Sequence, residues 1–366
     1  MAKPLHAGVL SSRTLNRALL ARQMLLERAA MPALDAIEHL VGMQAQVPSD
    51  PYFGLWSRLA GFRPPELEGL IEGRKAVRMT AMRGTLHLMS APDAMMLRPL
   101  VQPSITRLLA GTPFARETKG VDLAPVMATA RAAVAKTPMT LAALRKVIAA
   151  EHPGAPAHAV SYVFQYSEPL VQVPPRGLWE KSGAPKLTTA RAWLGRDIRA
   201  RPSADAIVLR YLRAFGPASV MDAQAWSGLT QLAPVFERLR PKLMTFRDGG
   251  GRELFDLADA LRLDEDTPAP PRFLPTYDNA VLGFANRARI VPDGARAPPD
   301  PWAKAFLIDG FVAGYWKIAE AKGRATLTLE PFGRLGRRER DTLMAEGERL
   351  LEFTAPEAKQ SVKFAS

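Results

Sequence analysis

Gln44 and Gln46, with one small residue between them, are the pair in this chain whose type and spacing could do chemistry without a metal or a nucleophile. A carboxamide does not titrate usefully near neutral pH, so it cannot be an ordinary general base. Its oxygen can still accept a hydrogen bond from water and so fix where the water's lone pair points. On a helix, positions i and i+2 face roughly opposite sides, whereas on extended backbone they share a face. The neighbouring residues predict the extended case. An apolar helical run over 36–41 leads into the pair, and Val47 precedes Pro48, which pushes it out of the α region. The plainer alternative is that glutamines at a helix end are solvated or cap nearby backbone. The pair alone does not separate the two.

Other chemistries find little support. His6, His39, His87, His152 and His158 show no metal-ligand spacing, and there is no cysteine for a disulfide, a thiolate zinc site or an iron–sulfur cluster. No phosphate-binding loop, nucleophile elbow or dinucleotide fingerprint is present, and the three glycines at 249–251 read as a turn. No cofactor and no metal are expected. The chain of 366 residues carries 49 Lys and Arg against 36 Asp and Glu, a net charge of +13. That balance favours a polyanionic partner, nucleic acid ahead of a membrane surface. The N-terminal residues lack an uninterrupted apolar stretch and no run approaches membrane-spanning length, so a cytoplasmic location is expected.

The elements that must position the glutamines follow a recurring order of helices and then a ribbon. Helical periodicity covers 11–28, with Ser12 as N-cap, then a helix from Pro32 into the glutamine pair, a third over 52–59 and a fourth over 65–71. Alternation over 75–89 predicts a ribbon turning at Arg83 and Gly84, with Val77, Met79 and Ala81 on the same inward face as Leu86 and Leu88, and Thr85 and His87 opposite. The order repeats with helices over 140–150 and 158–166 and a ribbon over 170–183 turning around 174–177. It repeats again with helices from Ala204, Ser219 and Pro234 and a ribbon over 243–257. A Pro-rich linker over 264–275 then gives way to strands, with a hairpin turn at Asp309-Gly310, a closing helix over 337–351 and a mobile tail. The reading is mainly α with small β ribbons. Three tandem winged helices, 1–110, 120–200 and 201–263, precede a C-terminal β-containing (α+β) subdomain over 272–366. Trp179, Trp193, Trp226 and Trp316 sit in apolar periodic settings and are read as core.

The stretches GMQAQVPSDPYFGLWSRL (42–59), MRGTLHLM (82–89), LPTYDNAVLGFANRARIV (274–291) and FLIDGFVAGYW (306–316), in that order, resemble the AlkZ/YcaQ-like winged-helix DNA glycosylases. The likeness covers nearly the whole chain, and the Gln-x-Gln pair places it nearer the AlkZ-like branch than the branch with aspartate at the second position. The resemblance implies a glycosylase for N7-alkylated purines, acting as a monomer on double-stranded DNA with alkylation damage. Interstrand crosslinks are a further expected substrate, with no membrane and no obligate protein partner.

It also implies site residues. Gln44 and Gln46 would together position a water. Arg83 and His87 become pocket-edge candidates, although a satisfied surface histidine is the plainer reading of His87. Asp278 and Asn279 are pocket candidates that could equally cap a turn. Arg287 and Arg289, with Arg176, Lys181 and Lys186 of the second wing, are expected phosphate contacts, each of which could be a solvated charge alone. The chain departs from the family in carrying Asn286 rather than aspartate before Arg287, which removes the carboxylate half of an ion pair there. Two non-enzymatic alternatives are a winged-helix regulator, which would need a dimer reading spaced half-sites, and a scaffold that binds protein.

Overall fold

The structure is a computed structural model that describes residues 6–196 and 203–365. The segment around the glutamines is built as expected in order, with shifted ends. The first helix is Ser12–Arg22 and its N-cap is Ser11, whose hydroxyl accepts from the Thr14 amide. Ala33–His39, Asp50–Arg58 and Pro64–Glu72 follow, then the ribbon strands Ala76–Thr80 and Leu86–Ser90. Residues 91–136, which the periodicity left unassigned, hold the 20-residue helix Ala91–Ala110, the short Pro113–Glu117 and Leu123–Lys136.

The first two ribbons are not separate wings. Arg78 pairs with Gln172 and Met79 with Val171, so the ribbons fuse into one five-stranded antiparallel sheet. Its order is Met43–Gln44, Leu86–Ser90, Ala76–Thr80, Leu170–Val173, Lys186–Thr189. The second ribbon's return strand is therefore Lys186–Thr189 rather than the expected stretch before 183. The loop between carries Trp179 onto Tyr52, ring centroids 5.0 Å apart.

The register within the first ribbon also corrects its expected facing. Met79 lies opposite His87 and Arg78 opposite Leu88, and directly opposed residues share a face. Leu86 and Leu88 therefore point away from Val77 and Met79. All four are buried, because both faces of this sheet are covered.

The third ribbon, Leu243–Asp248 with Glu253–Leu257, takes His6–Leu10 as a parallel third strand. The C-terminal sheet is five-stranded, in the order Lys359–Phe364, Arg324–Pro331, Phe311–Ala321, Lys304–Ile308, Arg272–Phe273. Asp309 and Gly310, both at positive φ, make its expected hairpin turn. The segment expected to be a mobile tail is instead its edge strand. Val362 and Phe364 pack inward from alternate positions while the lysines face out.

These sheets make the chain a mixed α/β protein rather than a mainly α one. The Pro-rich segment does not divide its interior either. Tyr52, Phe53 and Trp56 pack with Phe273, Trp316 and Leu327 in one core. A second core joins Leu19 and Met79 to Tyr211, Trp226 and Ile290. Arg17 ties the segment down, donating to the Thr267 carbonyl and pairing with Asp309 at 2.5 Å. The expected boundary at 200/201 lies outside the described residues.

Candidate active site

The helix before the glutamines stops at His39, earlier than expected. Val41 and Gly42 then take positive φ and swing the chain against the ribbon. Gly42 has no substitute here, since a Cβ would meet Met89 Cγ at 2.7 Å and the Leu88 carbonyl at 3.1 Å. The turn delivers Met43 and Gln44 onto Leu88 and His87 as an edge strand, and the Ala45 amide continues the pairing to the Leu86 carbonyl at 2.8 Å. The backbone at the pair is thus extended.

Gln44 is 9% exposed, and its Oε1 accepts from Arg83 Nη2 at 3.0 Å. Arginine has no acceptor, so the amide atom facing it must be the oxygen. The same Nη2 donates to Asn279 Oδ1 at 3.0 Å, and Nη1 donates to the carbonyl of Trp226 at the end of the helix Val220–Ser227. Arg83 sits at positive φ in the turn between the ribbon strands, which aims its side chain at these acceptors. Burial, and secondarily Arg287, lower its pKa to about 10, so it remains a cation at neutral pH with neutral partners only. Gln46 is exposed, and its Oε1 accepts from the Leu86 amide at 3.3 Å. The two glutamines are therefore held by different partners.

His87 is not a surface histidine. It is fully buried opposite Gln44, with Nδ1 3.0 Å from the Thr85 carbonyl, so Nδ1 carries the proton. Burial, with Arg83 adding to it, lowers its pKa to about 3. It is neutral and cannot act as an acid near pH 7.

Asp278 caps the short helix Asn279–Leu282 through the Ala280 amide at 2.8 Å, and both its oxygens bind Arg58, at 2.7 and 2.8 Å. That ion pair is almost completely buried. Beside it lies a pocket of about 20 Å³, lined by Gln44, Asp50, Arg58, Tyr277, Asp278 and Asn279 among others. This is room for one water. Three buried polar atoms of the lining residues, Asp50 Oδ2, Arg58 Nε and Asn279 Nδ2, have no hydrogen-bond partner among the described residues. A groove of about 410 Å³ shares Pro275, Tyr277 and Asp278 with the pocket and extends to Arg287 and Arg296.

Of the expected residues, the fold gathers Gln44, Arg83, His87, Asp278 and Asn279. It leaves Gln46 outside the pocket lining and puts Arg176, Lys181 and Lys186 elsewhere on the second ribbon and its loop. Lys181, Lys186 and Arg287 are exposed, while Arg176 is half-buried and donates to the Gly183 carbonyl. Arg289, expected at a phosphate, is 4% exposed. It stacks on Phe284, donates to the Pro217 carbonyl at 2.6 Å and faces Asp222 at 3.8 Å, so it belongs to the core. Asn286 turns its oxygen onto the Ala288 amide.

Asp50 and Arg58 were not singled out from the sequence. Both lie within the conspicuous stretch at 42–59, but an acidic residue before a proline reads as a turn until its burial is known.

A family model described as DNA glycosylase AlkZ-like matches residues 37–353. An interstrand DNA cross-link repair glycosylase from Streptomyces sahachiroi is 26% identical over 340 residues, covering 85% of this chain and 88% of that protein. The solved structure of Streptomyces sahachiroi DNA glycosylase AlkZ shares the fold at a TM-score of 0.72. It covers 98% of this chain and 100% of that one at 20% identity. No described helix is long and apolar enough to cross a membrane. With the family model spanning most of its length, the chain belongs to the AlkZ-like DNA glycosylase family.

Proposed function

We propose that the chain is a monofunctional DNA glycosylase that hydrolyses the N-glycosidic bond of N7-alkylated purines, bulky and crosslinked ones included. The observation that carries this reading is the convergence of Gln44, Arg83 and Asn279, from three distant segments, beside a pocket sized for one water. An N7-alkylated purine is cationic and already a good leaving group. Cleavage builds oxocarbenium charge on the sugar, so the protein must mainly place a water and direct dipoles at that charge. Arg83 occupies one lone pair of Gln44 Oε1 and leaves the other to orient the water. Gln46, exposed next to it, completes the clamp from the open side once DNA is seated.

The adjoining groove offers space for a bulky alkyl group without full extrusion of the base, which a crosslinked base cannot undergo. The cross-link repair named for the Streptomyces sahachiroi relative supports the same substrate class. The helix-then-ribbon units, the first two sharing one sheet, form the DNA-binding scaffold, with Lys181, Lys186 and Arg287 reaching phosphates. Lys304 stacks over Phe53 and Trp316 and does not line the pocket, so no Schiff base forms and the abasic strand is left uncut. The protein works as a monomer, in the cytoplasm at the nucleoid.

The test is single-turnover excision from an oligonucleotide bearing one N7-methylguanine, scored as abasic sites. The wild type is expected to excise, and Gln44→Ala to be slower by about tenfold or more. A wild type inactive on both this lesion and a nitrogen-mustard crosslink sinks the reading.

A further inference from the structure

The pocket holds two carboxylates, and they are not equivalent. Asp278 has both oxygens committed to Arg58, with the Ala280 amide added to one of them. Asp50, at the start of the helix Asp50–Arg58, is 1% exposed. Its carboxylate is held weakly and by Thr276 alone, whose Oγ1 donates a long hydrogen bond to Oδ1 at 3.4 Å beside its own backbone amide, and Oδ2 has no hydrogen-bond partner among the described residues. A buried carboxylate oxygen left without a donor costs stability, so its retention at a one-water pocket calls for a ligand. The other lining groups cannot take a proton. Gln44 and Asn279 are amides already bound by the Arg83 cation through their oxygens, and Arg58 is a cation itself.

We propose that Asp50 is the proton acceptor in the hydrolytic step, binding the pocket water through Oδ2 while Gln44 orients it. The assignment rests on the glycosylase reading above. The water oxygen bonds to C1′ as the C1′–N9 bond breaks. The bonding pair passes to the purine, which leaves neutral as its N7 charge is quenched. The proton shed by the water goes to Asp50 and from there to solvent. One positive and one negative charge are thereby cancelled together. Since the second motif position here is Gln46, an amide, Asp50 supplies the negative charge that position lacks.

The charged and titratable groups facing Asp50 are Lys304 from the C-terminal sheet, Asp278 and Tyr277 from the pocket wall, and Arg58 from its own helix. Burial outweighs Lys304 and raises the Asp50 pKa to about 6, which leaves it ionised at neutral pH and well placed as a base.

The experiment measures single-turnover excision with enzyme in excess, on N7-methylguanine and on a mustard crosslink, from pH 5 to 8. Wild type, Asp50→Asn, Asp50→Glu and Gln44→Ala are compared, with melting temperature and DNA affinity alongside. The wild-type rate is expected to fall below about pH 6. Asp50→Asn is expected to lose about tenfold or more at pH 7.5 and to show no acid limb. It should melt at or above the wild-type temperature at pH 8, because it removes a buried charge. Asp50→Glu regains part of the rate, and Gln44→Ala is slow but keeps the acid limb. Asp50→Asn excising at the wild-type rate, or slowly with the wild-type pH profile, overturns the role of Asp50 and leaves the glycosylase reading standing. A wild type inactive on both substrates overturns the two together.

Discussion

The Arg83 guanidinium holds the Gln44 carboxamide by its oxygen, Nη2 to Oε1 at 3.0 Å. The same nitrogen reaches Asn279 Oδ1, so one side chain in the ribbon turn sets the orientation of two amides from remote segments. Arg83→Lys keeps the charge but not the planar fork that serves several acceptors. Excision is expected to fall by about tenfold or more while DNA affinity stays within about threefold. A rate equal to wild type would show that Gln44 needs no such anchor.

Arg58 and Asp278 form a bidentate ion pair in which both side chains are at most 3% exposed. Removing the carboxylate strands a buried guanidinium. Asp278→Ala is expected to cost about 3–5 kcal/mol of stability in urea denaturation, far more than a lost helix cap alone. A cost under about 1 kcal/mol would mean that water already solvates Arg58 through the pocket.

The buried His87 makes stability depend on pH with a definite sign. Unfolded, it takes up a proton near 6.5; folded, its pKa is lowered to about 3. Between those values the unfolded state binds more protons, so the stability held above pH 6.5 drains as pH falls towards 3. The contribution lost between pH 7 and 4.5 is about 3 kcal/mol. His87→Met is expected to remove that much of the acid-side slope, read as the difference between the two proteins' denaturation free energies at each pH. Parallel slopes would contradict a neutral buried imidazole.

Exposure divides the basic residues into two kinds. Replacing Lys181, Lys186 or Arg287 with alanine is expected to weaken DNA binding at every sequence and to lower the log–log salt slope by about 1 each. Arg289→Ala should leave that slope unchanged and lower the melting temperature instead, since Arg289 is sealed between Phe284, Pro217 and Asp222. Fluorescence anisotropy across a salt series separates the two patterns.

By itself the sequence determined many of the local elements and the family. Helix periodicity, the ribbon turn at Arg83-Gly84, the Asp309-Gly310 hairpin and the extended backbone at Gln44 are set by neighbours within a few residues, and they stand in the structure. What only the tertiary structure decided depends on contacts far apart in the chain. The fusion of two ribbons into one sheet rests on strands about ninety residues apart, and packing on both faces of that sheet buries the ribbon face that alternation alone placed in solvent. The edge strand at Lys359–Phe364 is ordered by a partner, and its own residues are too polar to announce it. Arg287 and Arg289 are alike in sequence, yet one is solvated and the other sealed, because burial belongs to the surroundings and not to the residue type. For the same reason Asp50, an ordinary helix-start aspartate by its neighbours, becomes the carboxylate with a free oxygen only when Thr276, Tyr277 and Lys304 close around it.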